Sequence, residues 1–333
     1  GGVAVSAGTY TFGGTAIGGD GGLTVSGGTL VINNAANTYA GDTVVGNGAT
    51  LQINQANRLP YGAGKGDATA DGSLIVNNTD LTLNGLNGAG LVDKPGGNGN
   101  TLTLGAGDAS GTFGGVIRRT GGTLNVTKTG SGTQTLGGAN SYNGATTVNG
   151  GTLRFTGANT LSGALTVNSG VLALDGSNTL SGTVAAAAGG TLRAGHPQAL
   201  RGAPVVAAAG GATIDVSALA APLSLAAPQT LRIDGHGATA TLATAPGNGL
   251  APAETGALHI NAYDGVATPL AVTGGGVLTL AGGNTVTVTV AADAPLGIGD
   301  YLLVQGGVAG AAPAAVTVNG TGRAAATTAA LLL

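Results

Sequence analysis

The 333-residue sequence contains no cysteine, no methionine and no tryptophan. Without cysteine there is no disulfide framework, no thiolate nucleophile and no cysteine-based metal site. Charge is scarce too. Lys and Arg number 11, Asp and Glu 14, so charged residues are 8% of the chain and the formal net charge is −3. A nucleic-acid binder would present a basic face, which so few cations do not supply. Aromatic residues are 3%, leaving no stripe of rings for stacking on single-stranded nucleic acid. No apolar run reaches the length of a membrane-spanning helix. There is no initiator methionine and no signal-peptide pattern, so Gly1 reads as a processed or truncated start.

What the chain does have is glycine, 67 residues of it, and short β-prone runs. Leu23-Thr24-Val25, Leu30-Val31-Ile32, Leu81-Thr82-Leu83, Leu102-Thr103-Leu104, Leu165-Thr166-Val167 and Val286-Thr287-Val288-Thr289-Val290 are typical. Many alternate apolar residues with Thr, the period-two signature of a half-buried strand. Gly-Gly, Asn-Gly and Ser-Gly pairs between them supply tight turns. The alanine-rich stretches 184–188 and 204–209 are short and glycine-flanked, so strand or turn is expected there rather than helix. Low net charge and ample Leu, Val and Ile separate the chain from disordered sequences.

An internal repeat decides the architecture. Asn140, Asn159 and Asn178 recur every 19 residues, each opening a matching segment: Asn140-Ser141-Tyr142-Asn143-Gly144, Asn159-Thr160-Leu161-Ser162-Gly163 and Asn178-Thr179-Leu180-Ser181-Gly182. Leu153 and Leu172 keep the same register, and an earlier copy begins at Asn37 with Tyr39 in the Leu161 position. A period of about 19–20 residues built from short strands is one coil of a β-solenoid, an all-β parallel β-helix. At that period the chain has room for about 17 coils. Inward Leu, Val and Ile would form one core, with Leu153 and Leu172 stacked in it. Outward positions would carry Thr, Asn and Ala. The recurring Asn would stack as an amide ladder, and Tyr39 and Tyr142 replace Leu161 and Leu180 as core or core-edge residues. Residues 1–203 read as the repeat β-helix, and 204–333, richer in Ala and Pro, as a less regular continuation with a C-terminal β cap. Tyr301-Leu302-Leu303-Val304 is one of the strand-like runs expected there.

The string from Gly132-Thr133-Gln134-Thr135-Leu136 through Asn140-Ser141-Tyr142-Asn143-Gly144 to Thr146-Thr147-Val148-Asn149-Gly150-Gly151-Thr152-Leu153 resembles the autotransporter-associated β-strand repeat. The lead-in, Gly111-Thr112-Phe113-Gly114-Gly115-Val116-Ile117 and Lys128-Thr129-Gly130, fits as well, and Gly28 to Leu51 fits more loosely. The resemblance implies a right-handed parallel β-helix, secreted or carried on a bacterial cell surface, with the repeat in a structural role.

Candidate chemistry is thin. His196, His236 and His259 lack metal-pair spacing, and Asp234-Gly235-His236 is the nearest approach to a charged dyad. Glu254 is the single Glu, so the clustered carboxylates of a polysaccharide-cleaving β-helix are missing. Asp67 and Asp71, beside Lys65, are the one candidate Ca²⁺ site. Gly64-Lys65-Gly66 fails the P-loop spacing. Arg118-Arg119 is the one adjacent basic pair. Tyr61 and Tyr263 are the loop aromatics expected to be exposed. Thin chemistry implies a non-catalytic protein without cofactor, and the resemblance implies an extracellular structural one; the expected partners are copies of itself in fibres or a surface layer. Cell-surface or matrix polysaccharide is the second partner class. A monomeric adhesin is the alternative reading, and a polysaccharide-active enzyme a remoter one. The uncharged ends, Val3-Ala4-Val5 and Ala329-Ala330-Leu331-Leu332-Leu333, offer nothing to block edge pairing.

Overall fold

A computed structural model describes residues 2–297, 299–313 and 315–321. Its regular structure is β throughout, apart from a 3₁₀ turn at Ala106–Asp108. Every strand pairing between coils is parallel among the described residues, and the chain winds as a β-solenoid of about 13 turns. Two compact units divide between Gly163 and Ala164.

In the first unit, coil after coil repeats one pair of strands: Val3–Val5 and Thr9–Phe12, then Leu23–Val25 and Thr29–Ile32, then Thr43–Val45 and Thr50–Ile53. From Leu81–Leu83 onward a third face joins them. Side chains alternate as the Thr/apolar pattern demands: Leu23 and Val25 are buried while Thr24 between them is half-buried. In register, Leu30, Leu51, Leu74, Val92 and Ile117 form one core column, each 0–1% exposed. Each buried Leu of such a column contributes about 1.5–3 kcal/mol relative to exposure. Outward, Thr82, Thr103, Thr127 and Thr147 form a matching threonine column.

In the second unit, three strands make most coils, and the coil of Val184–Ala186 and Gly190–Ala194 has two. Thr230–Asp234, Ala240–Ala243 and Gly249–Pro252 are followed by Ala257–Tyr263, Leu270–Thr273 and Val277–Leu280, and each pairs with its counterpart. Val184, Val206, Leu231, Leu258 and Val286 stack through the interior. The alanine-rich stretches are strands, Val184–Ala186 and Val205–Ala208. Their small side chains pack in the interior at Ala186 and Ala208.

The turn count falls below the 17 that a fixed 19–20-residue period allows because the coils are unequal. In the first unit, the offsets run from 18 (Ala68 to Leu86) to 25 (Thr43 to Ala68). In the second, they climb from 20 (Gly170 to Gly190) through 28 (Thr213 to Thr241) to 34 (Leu270 to Val304). The strand expected over 301–304 is reduced to Val304–Gln305, leaving Tyr301 and Leu302 outside the sheet. Ala329–Leu333 lie outside the described residues.

Candidate functional site

The repeat residues gather at a corner of the coil. Asn140 is fully buried. Its Oδ1 accepts from Ile117 N in the coil before (2.9 Å), and its Nδ2 donates to Gly138 O (3.0 Å) and to Asn159 Oδ1 in the coil after (2.8 Å). Asn159 and Asn178 repeat the local half of this pattern, donating to Gly157 O and Gly176 O. Asn178 also reaches Ala199 O at 2.9 Å. Asn37 accepts from Ile17 N and donates to Arg58 O. These four Asn are therefore interior corner residues, at 0–5% exposure, and not part of the outward row. The reason is that a corner turns backbone N–H and C=O groups inward, and a carboxamide carries both a donor and an acceptor to meet them.

Two residues beyond the Asn, Tyr39 and Tyr142 are 1% exposed, and Leu161 and Leu180 are 1% and 2% exposed in the same place. Each Tyr hydroxyl meets a threonine four residues on, Thr43 at 2.6 Å and Thr146 at 2.7 Å. Burial pushes the Tyr39 phenol up to about 12 despite its hydrogen bond to Thr43, and drives Tyr142 up as well. Leu153 and Leu172 are both fully buried. Leu153 lies in register with Gln134, and Leu172 with Leu192.

The candidate Ca²⁺ ligands do not converge. Asp67 and Asp71 flank the strand Ala68–Ala70, so their Cα atoms lie about 13 Å apart at strand rise. Asp67 Oδ1 accepts from Gly85 N at 2.8 Å and Asp71 Oδ1 from Ala89 N at 3.0 Å. Each carboxylate thus tethers the next coil. Among the described residues, no group of three or more His, Asp or Glu is placed to hold a metal ion.

The other polar candidates are scattered. Asp234 pairs with Arg232 (3.5 Å), whereas His236 faces Asp293 (3.6 Å), so the Asp234–His236 dyad does not form. His259 bonds Thr289 Oγ1 at 2.9 Å, and burial, with Arg232 beside it, lowers its pKa. His196 Nδ1 accepts from Gln198 N. Arg118 faces Asp93 at 3.5 Å across adjacent coils. Tyr61 is exposed, but Tyr263 is buried at 3%, because it ends a core-facing strand and its ring packs against Tyr301.

Three interior polar residues were not anticipated. Lys94 and Lys128 are fully buried, donating to the carbonyl of Gly96 and to those of Thr129 and Gly130, respectively. Desolvation lowers both ammonium pKa values. Their long stems fit strand positions that alternation assigns to the core: Lys128 is the last inward residue of Thr123–Lys128. Gln134 occupies a leucine position of the repeat, and its carboxamide bonds both N (3.0 Å) and O (2.8 Å) of Leu86. The only sequence signal for it was that departure from Leu.

Three segments, residues 27–53, 126–155 and 151–174, match the passenger-associated-transport-repeat family. Those three segments are similar to passenger-associated transport repeats. Each matched segment contains one Asn corner: Asn37 with Tyr39, Asn140 with Tyr142, and Asn159 with Leu161. In this chain the matched segments thus correspond to coils whose buried carboxamides tie them to their neighbours. The passenger-repeat match stops at residue 174, ahead of the coils that lengthen. No curated protein and no solved structure matches the chain. Among the described residues, no helix is long and apolar enough to cross a membrane.

Proposed function

We propose that this passenger-repeat β-helix is a non-catalytic, extracellular structural protein of the bacterial surface, and that it self-associates. One observation supports the association. Charged residues are only 8% of the chain and the formal net charge is −3, so little electrostatic repulsion opposes contact between copies. The repeated coils, with their matching outward columns such as Thr82, Thr103, Thr127 and Thr147, present a regular surface of low charge. Contact between unlike surfaces of two copies is heterologous and builds open filaments when the rotation does not close.

Light scattering across a concentration series tests the reading. Mass should grow with concentration. A wild-type chain that stays monomeric at high concentration overturns self-association.

A further inference from the structure

In the second unit, the connections between strands vary in an ordered way. In the later coils the closing connection keeps four residues: 226–229, 253–256 and 281–284. The one following the first strand of each coil grows steadily. Residues 168–169 make the first, then 187–189, 209–212, 235–239, 264–269 and finally 291–303. Insertions that collect at one corner of a solenoid mark its binding face, and loops held on a rigid scaffold are where recognition residues sit.

The three longest connections of this series lie on successive coils and hold one another. His236 Nε2 is 3.6 Å from Asp293 Oδ2. The Asp264 carboxylate accepts from Gly237 N (2.6 Å) and Val266 N (2.9 Å). A Cβ on Gly265 would stand 2.5 Å from Leu296 Cδ2 and 3.3 Å from Tyr301 Cε1, so only glycine admits this approach. Tyr301 stands edge-on to buried Tyr263 at 6.1 Å, and its hydroxyl donates to Gly297 O at 3.0 Å. The Tyr301 ring is therefore fixed, yet 38% exposed, and Val266 (82%) and Leu302 (59%) are more open still. Beside them the strand Ala257–Tyr263 shifts register between Ile260 and Tyr263, with Ala262 at φ +49°. Bulges and strained backbone of this kind recur next to functional sites.

The chemistry selects a ligand class. Asp264 and Asp293 both lie beside His236, and Asp300 is a further acidic residue of the same connection, so the corner disfavours polyanions such as uronates or nucleic acid. Ionised carboxylates only accept hydrogen bonds, and a pre-fixed tyrosine supplies amphipathic contact area at little entropic cost. A pyranose offers both complements, hydroxyl donors at its rim and apolar C–H groups on its face. We propose that the corner formed by residues 235–239, 264–269 and 291–303 binds a neutral pyranose oligosaccharide, with Tyr301 against a sugar face and Asp264 and Asp293 accepting from its hydroxyls. This site does not depend on self-association, and it would serve the structural reading and an adhesive one alike.

The full chain is titrated with cellohexaose, chitohexaose and maltoheptaose, and with trigalacturonate as the anionic comparison. The chain has no tryptophan, so tyrosine emission is the direct readout. At least one neutral oligomer should saturate with a Kd of about 1 mM or below. Tyr301→Ala should weaken it at least tenfold. Asp293→Asn, at a side chain 77% exposed and outside the core, should weaken it several-fold without affecting folding. Tyr10→Ala should leave it unchanged. Absence of binding by all three neutral oligomers overturns the proposal, as does tighter binding of trigalacturonate or unchanged affinity in both corner variants. Light scattering on the same samples reads self-association separately.

Discussion

Gln134→Leu tests how this solenoid repairs a break in its own sheet. The strand Leu86–Asn87 pairs with Ala68–Ala70 on one side, but toward the next coil only an isolated bridge, Gly88 to Phe113, survives. Side chains fill the gap. Asn87 Oδ1 accepts from Thr112 N (2.9 Å), and the Gln134 carboxamide reaches past Gly111 to bond both polar groups of Leu86. Gly111 is what makes this approach feasible, since a Cβ there would lie 2.6 Å from both Gln134 Oε1 and Leu86 O. Leucine at 134 restores the repeat pattern yet strips the buried Leu86 N–H and C=O of their partner. Each orphaned group costs about 1–3 kcal/mol, and the extra apolar burial returns about 1–2 kcal/mol. The expected net loss is about 1–4 kcal/mol. Chain unfolding need not be two-state across two compact units, so the decisive assay is hydrogen exchange at the Leu86 amide, read beside urea denaturation. A loss of about 2 kcal/mol corresponds to roughly 30-fold faster exchange at that amide. If Gln134→Leu matches or exceeds wild-type stability with Leu86 still protected, the carboxamide is not acting as a strand surrogate, and the reasoning fails.

Asn140→Ala removes the corner bonds to Ile117 N, Gly138 O and Asn159 Oδ1 at once. It should cost about 2–4 kcal/mol, measured as a lower urea midpoint, whereas Asn33→Ala at an exposed position should fall within about 0.5 kcal/mol. Alkaline stability follows from the buried phenols. The folded-state pKa of Tyr39, about 12, lies above its unfolded value of 10.0, so its contribution is complete below pH 10 and is lost as pH rises toward 12. Tyr142 acts in the same direction. Lys94 and Lys128, with lowered values, oppose it by relieving their buried charge as pH approaches 10.5. The urea midpoint of the wild type should therefore drop between pH 10 and 12, and the Tyr39→Phe/Tyr142→Phe double variant should drop less. An equal drop in both would remove the phenols as the cause.

Most of the fold is legible in the sequence because two periods are written in it, alternation within strands and recurrence between coils. Leu23-Thr24-Val25 announces its own inward and outward faces, and the 19-residue spacing of Asn140, Asn159 and Asn178 announces the coil. The illegible part is what breaks those periods. Asn is polar, so composition assigns it to the surface, but at a corner the backbone turns its own polar groups inward and selects a carboxamide to receive them. Lys128 defeats hydropathy for a related reason: its stem fills a core position while its ammonium ends among turn carbonyls. Gln134 depends on a partner 48 residues away, a separation that no local pattern encodes. Gln229, Asn248 and Asn284 follow the same rule late in the chain. Each accepts from a backbone N–H three residues before it and donates to carbonyls of the previous coil. They went unnoticed because unequal coils spread them 19 and 36 residues apart and hide the repeat.

That hidden rule explains why the closing corner of the later coils stays at four residues while another corner grows. Of the four-residue closing connections, 226–229 ends in Gln229 and 281–284 in Asn284, which donates back to Gly256 at the end of 253–256. A carboxamide spanning from its own turn to a carbonyl one coil earlier works only at a fixed reach, so residues added there would orphan buried polar groups at about 1–3 kcal/mol each. Among the described residues, no buried carboxamide ties the corner at 235–239, 264–269 and 291–303, whose mutual contacts lie at the surface, and there loop closure adds only about 0.6 kcal/mol for each doubling of length. Sequence can accumulate there at little cost to the stack, and the accumulated residues are the exposed Val266, Tyr301 and Leu302 beside Asp264 and Asp293. The physical rule that keeps the core regular is thus also the one that selects where this solenoid is free to acquire a ligand.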